Sequence, residues 1–120
     1  MADRCLVWYI PKVLSNSVVG TNASTPYVLD EDYIPVRVVL RQKVAQGGNP
    51  TIIDINDDGT SIFDDLKPSL AQGIDGSEVE NFARTLTYLA KDSVITLDVD
   101  QVSSTVPGEK LMVQLELDKA

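Results

Sequence analysis

The chain has no histidine. That removes histidine metal sites, Ser-His triads and imidazole acid–base work together. It has one cysteine, Cys5, so neither an intrachain disulfide framework nor a four-thiolate zinc site can form. Within the run Cys5-Leu6-Val7-Trp8-Tyr9-Ile10 that cysteine reads as a small buried hydrophobe rather than a reactive thiol. No apolar run approaches the roughly 18 residues of a membrane helix. Aromatic residues are only 6%, which leaves little material for the wall of a cleft. Gly47-Gly48 is not followed by the Gly-Lys-Ser of a phosphate loop. Basic residues are few, 10 against 18 acidic, for a net charge of -8. That balance argues against nucleic acid and against an anionic membrane surface as partners. The start, Met1-Ala2-Asp3-Arg4, lacks the basic region of a signal peptide. The expected location is therefore cytoplasmic, or the virion if the source is viral.

What is present is mostly strand pattern. The 120 residues suit a single β-rich domain. Leu111, Val113, Leu115 and Leu117 alternate with polar residues, as do Ile95, Leu97 and Val99. Val36, Val38, Leu40 and Val44 form an apolar face opposite Arg37, Val39, Arg41 and Lys43. Thr51 to Ile55 is a short β-branched run, and Cys5 to Ile10 is apolar on both faces, as in a strand buried between layers. Residues 15–26 read as a long loop or extended arm. Pro107-Gly108 suits a type II turn. Over 78–91, Val79, Phe82, Ala83, Leu86, Leu89 and Ala90 recur at helical spacing behind a Ser77/Glu80 capping box. This favours a helix over the rival hairpin turning at Asp92-Ser93. The fold class expected is mainly β: an antiparallel β-sandwich or open barrel of about six to eight strands with one short helix.

The sharpest local feature is Asp54-Ile55-Asn56-Asp57-Asp58-Gly59-Thr60-Ser61-Ile62-Phe63-Asp64-Asp65. Its oxygen side chains at positions one, three and five, glycine at six and carboxylate at twelve resemble the calcium loop of EF-hands, and more closely the dockerin form. The resemblance implies Ca2+ as the one cofactor, with Asp54, Asn56, Asp58, the Thr60 carbonyl and Asp65 as ligands. It covers only these twelve residues, with Ser61 where the pattern has an apolar residue and a strand-like run ahead of it. The same residues also read as a β-hairpin turning at Asp57-Asp58-Gly59.

Carboxylates are abundant, but a chain with little wall and no histidine is not expected to be an enzyme. Arg37, Arg41 and Lys43 project from one strand, either as a solvated face or as a docking surface for the Asp30, Glu31 and Asp32 of a second copy. The texture of Tyr33-Ile34-Pro35-Val36-Arg37-Val38-Val39-Leu40, the acidic hairpin and the C-terminal strands resembles small accessory proteins of tailed-phage virions. That likeness implies a structural module working by assembly, as a decoration, head-tail or tail component. Its partner would be itself, as a homo-oligomer, or a viral scaffold. The alternative is a calcium-dependent ligand- or carbohydrate-binding module in which Trp8 or a tyrosine meets the ligand.

Overall fold

The computed structural model describes residues 2–20, 23–64, 66–80, 82–83, 86–103 and 105–120. Nine strands run through them: β1 (Arg4–Val13), β2 (Tyr27–Val28), β3 (Tyr33–Val44), β4 (Thr51–Asp57), β5 (Thr60–Ser61), β6 (Ser69–Leu70), β7 (Gly76–Val79), β8 (Val94–Gln101) and β9 (Glu109–Lys119). They form two antiparallel sheets. Sheet A has the order β1-β9-β3-β7; sheet B has β2-β8-β4-β5, with β6 also paired to β4. The sheets close no barrel and pack as a sandwich.

Strict alternation makes the inner faces. Leu111, Val113, Leu115 and Leu117 of β9 are fully buried, as are Leu6 and Trp8 of β1 and Val38 and Leu40 of β3. Opposite them lie Ile95, Leu97 and Val99 of β8 and Ile53 and Ile55 of β4. Each such side chain contributes about 1.5–3 kcal/mol on burial.

Four expectations need correcting. First, β1 is an edge strand with one buried face. Leu6, Trp8 and Ile10 point inward, while Val7 is 42% and Tyr9 50% exposed, and Cys5 is exposed rather than buried. Second, Val36 and Val44 leave the apolar row of β3. A bulge between Pro35 and Arg37 inserts Val36 as an extra residue, which suits a proline that cannot donate to a ladder. Val44 lies exposed at the far end, and the inward place before it is taken by Gln42. Third, Gly108 does not carry the positive φ that a type II turn after Pro107 needs; two residues on, Lys110 does, with φ 57°.

Fourth, no helix covers the described part of 78–91. Residues 76–79 are β7, with Val79 opposite Val38. Phe82 then bridges to Phe63, two residues past β5 of sheet B, and Leu89 returns to Tyr33 in sheet A. Phe82 and Leu86 pack on the core, and Leu89 is buried within it. The apolar spacing serves a segment that touches two sheets in turn, which a helix of this length would not span. Arg84 and Thr85 lie outside the described residues. The turn falls at Lys91-Asp92, but the preceding strand-like residues pair with β3, so it makes no hairpin with β8. The helical turn that is present, among the described residues, is a 3-10 turn at Asn16–Val18. Beyond it, Gly20 pairs with Val99, and Ala23 N–H donates to the Leu97 carbonyl at 2.7 Å.

The open sides of the sandwich are closed by side chains. On one side, Tyr27 Oη donates to the Val7 carbonyl (2.7 Å) and Trp8 Nε1 to the Thr25 carbonyl (3.0 Å). The Trp8 and Tyr27 rings meet edge to face at 5.4 Å. On the other, buried Gln42 Nε2 donates to Gln46 Oε1 (2.5 Å) and to the Ile74 carbonyl (2.9 Å), while Gln46 Nε2 donates to the Leu70 carbonyl (2.6 Å). Gly108 packs against this amide: a Cβ there would collide with Gln42 Oε1 and lie 3.0 Å from the Val44 carbonyl oxygen. We expect Gly108→Ala to lower stability by about 1–3 kcal/mol, the usual cost of forcing atoms into a packed site. Urea unfolding measures it, and an unchanged midpoint would show that Gln42 can move aside.

Candidate functional site

β4 has polar residues where a half-wet strand would be expected to face solvent, yet they are buried. Its even positions include Asp54 and Asn56, which are 5% and 7% exposed. Asp54 stands directly opposite Asp98 of β8 in the ladder, and Asp98 is itself buried. Two carboxylates so placed repel unless each finds a partner. Ser61 Oγ donates to Asp54 Oδ1 at 2.6 Å, and Asn56 Nδ2 donates to Asp98 Oδ2 at 2.6 Å. Lys67 Nζ lies 3.1 Å from Asp54 Oδ2 and 3.0 Å from Asp100 Oδ2. Its hydrogen bonds to Asp100, then to Asp54, hold the ammonium pKa above the ordinary lysine value. A shallow cavity of about 390 Å3 opens beside it, lined by Ile52, Leu66, Lys67, Ser69, Asp100 and Gln101.

The turn that follows is the hairpin reading of the acidic segment. Asp57 pairs with Thr60, and Asp58 and Gly59 have φ of 48° and 89°, as a two-residue type I′ loop requires. Asp58 Oδ1 accepts a hydrogen bond from Val94 N–H at 2.8 Å. Asp54 and Asn56 therefore sit on the outer face of β4 and Asp58 in the turn, with Thr60 starting β5; Asp65 lies outside the described residues. No group of three or more Cys, Asp or Glu side chains placed to hold a metal ion occurs among the described residues. Trp8, the suggested ligand platform, is 1% exposed within the core.

The residues read as an interface are spread over two places. Arg37 is paired with Glu116 and, at 3.1 Å, with Glu78; the Glu116 contact leads in raising its pKa. Arg41 and Lys43 are exposed further along β3. At the opposite end, Asp30 accepts hydrogen bonds from Arg4 and from Tyr33 Oη (2.8 Å), and the Tyr33 bond leads in lowering its pKa. Glu31 faces Lys119 at 3.6 Å, and Asp32 Oδ1 accepts from Lys91 N–H at 2.8 Å. The partners of Arg37, and Arg4 as the ion-pair partner of Asp30, lie far away in sequence, so spacing carried no signal of them. The burial of Asp54, Asn56 and Asp98 was equally unreadable, because Ser61 and Lys67 come against Asp54 from beyond the turn and Asn56 meets Asp98 across the ladder.

Comparison with known proteins finds no matching family model, no matching curated protein and no matching solved structure.

Two outcomes follow from this geometry. Burial, and secondarily the charge of Asp58, push the Asp57 carboxyl above its usual range, against the Ser93 hydrogen bond. A carboxyl with a raised folded-state pKa contributes most below its unfolded value near 3.8 and loses that contribution as pH rises through the folded value. Asp57→Asn should therefore raise the urea midpoint at about pH 7 and lose that advantage at about pH 3; an equal gain at both would rule out ionisation as the cause. The internal partners of Asp54 and Asn56 also predict that Tm is the same in chelator and in millimolar calcium. A calcium-dependent rise would show that the hairpin rearranges to coordinate the ion.

Proposed function

We propose that the protein is a non-enzymatic interaction module that works by assembling with further copies of itself through the outer face of sheet A. The reading rests on the difference between the two outer faces. On sheet B the outward carboxylates Asp54 and Asp98 are buried and held by Ser61, Asn56 and Lys67, which leaves them poorly placed for acid–base work. On sheet A the outward side chains of β1 are Cys5, Val7 and Tyr9, all exposed. Val7 lies opposite Gln114 and Val39 next across the sheet, and Tyr9 lies opposite Met112 and then Arg41. This is an apolar surface with charge at its border, the composition of a docking face.

Contact on this face suits it better than strand addition, because the Tyr27 hydroxyl occupies the Val7 backbone groups at the β1 edge. A stable interface buries about 800 Å2 per partner, roughly an eighth of the 6360 Å2 surface. The resemblance to small accessory proteins of tailed-phage virions gives assembly a setting, in which a viral scaffold replaces the second copy.

Light scattering after size exclusion at several concentrations tests the reading. The expected result is a species heavier than the 13.1 kDa monomer that grows with concentration. Val7→Lys with Tyr9→Lys should shift it toward the monomer. A strict monomer at every concentration and ionic strength would end the self-assembly reading.

A further inference from the structure

Charge in this molecule is sorted by end. Gln42 pairs with Leu111 and Val44 with Glu109, so Lys43 and Lys110 lie side by side between those pairs. On the other flank of β9, Ile10 pairs with Leu111 and Val13 with Glu109, which sets Lys12 beside Lys110 at the bulge of β1. Arg41, opposite Met112, is in the next row. Lys12, Arg41, Lys43 and Lys110 are all exposed. Among the described residues none of them forms an ion pair, whereas Arg4, Arg37, Lys67 and Lys119 all do. Glu109, beside Lys110 in the chain, and Asp75, whose carbonyl accepts from Gln42 N–H, pair with none of the four among the described residues. Three lysines abreast on neighbouring strands repel, and a net charge of -8 makes such a row conspicuous.

The opposite end is acidic. The β4–β5 turn presents Asp57 and Asp58 beside Val94, the first residue of β8, and Asp92 stands two residues before it. Asp58 and Asp92 are exposed, and the base beside them is Lys91. This tip lies level with the C-terminal end of β9: Lys91 N–H bonds Asp32, whose carbonyl accepts from Ala120 N–H. From Lys110 to Lys119 is about 30 Å at ~3.3 Å per residue, on a body 41 Å long.

We infer that the partner is a second copy of this chain, and that the contact is head to tail: the Asp58/Asp92 tip of one copy seats on the Lys12/Arg41/Lys43/Lys110 row of the next. The inference rests on the assembly reading and deepens it. Both surfaces belong to every copy and differ from each other, so the contact is heterologous and builds a ring or an open filament, not a two-fold dimer. Tyr9, Val13, Val44 and Met112 surround the basic row and supply its apolar contact.

Charge exchange tests it. Native mass is measured at about 10 mM and about 1 M salt, where the screening length falls from about 30 Å to 3 Å. It is measured for the wild type, for K43E/K110E, for D58K/D92K, and for an equimolar mixture of the two variants. The expected result is a wild-type oligomer that dissociates in high salt, two variants that each run at 13.1 kDa, and recovery of the oligomer in the mixture. D58N/D92N keeps residues that tolerate a left-handed backbone and should also lose the oligomer. Far-UV circular dichroism confirms that each variant is folded. An oligomer indifferent to salt and to both reversals would overturn this contact and leave assembly standing. Folded variants that fail to recover when mixed would overturn it too. A wild type that is monomeric throughout would overturn both readings.

Discussion

Burial of alternate β9 side chains against sheet B is the constraint on which the rest of the molecule depends. Leu111, Val113, Leu115 and Leu117 are fully buried in the middle of sheet A, between β1 and β3. A slip of one residue would turn all four to solvent and bring Met112, Gln114, Glu116 and Asp118 inward. Such a register is strongly specified. It dictates which residues of β1 and β3 face outward, and hence that Val7, Tyr9, Arg41 and Lys43 share one surface.

A sandwich held by its inner faces still has two open sides, and here polar groups close them. Tyr27 and Trp8 bind backbone across one side. Gln42 and Gln46 do so across the other. A buried amide is favourable only while its donors and acceptors are met. Gln42 Oε1 has no hydrogen-bond partner and faces Gly108, where no side chain intrudes. The β9 entry, the β3 exit and the residues around Ile74 are thus tied to one side chain.

The sheets were legible where one face is dry and the other wet, as in β8 and β9. They were misleading where that rule fails. β1 carries apolar residues on its wet face, so Cys5, Val7 and Tyr9 read as buried. β4 carries carboxylates on a covered face, so Asp54 and Asn56 read as ligands or hairpin-strand residues rather than as internal hydrogen-bond partners. The helix expected over 78–91 came from a spacing that tertiary contacts produced by another route. Val79 pairs with β3, Phe82 with Phe63 and Leu89 with Tyr33, and the recurrence of apolar residues records three separate dockings. Arg37, Arg41 and Lys43 were legible as a stripe. Nothing in spacing could show that Arg37 is neutralised by Glu116 and Glu78, or that Lys12 and Lys110 arrive beside Lys43 from strands at the two ends of the chain.

The electrostatics then follow from topology. Antiparallel pairing of β9 with both β1 and β3 sets Lys12, Lys110 and Lys43 abreast, and the same pairing sends Arg4, Lys119 and the acids of residues 30–32 to the far end. There the opposite charges meet and pair. At the lysine end, among the described residues, they do not, although the chain has acids to spare, and a glutamate in place of any of the three would relieve the repulsion. The isolated fold gains nothing from this row. Negative charge brought by a partner would offset the repulsion, and a second copy of the chain, at a net charge of -8, would carry it in excess.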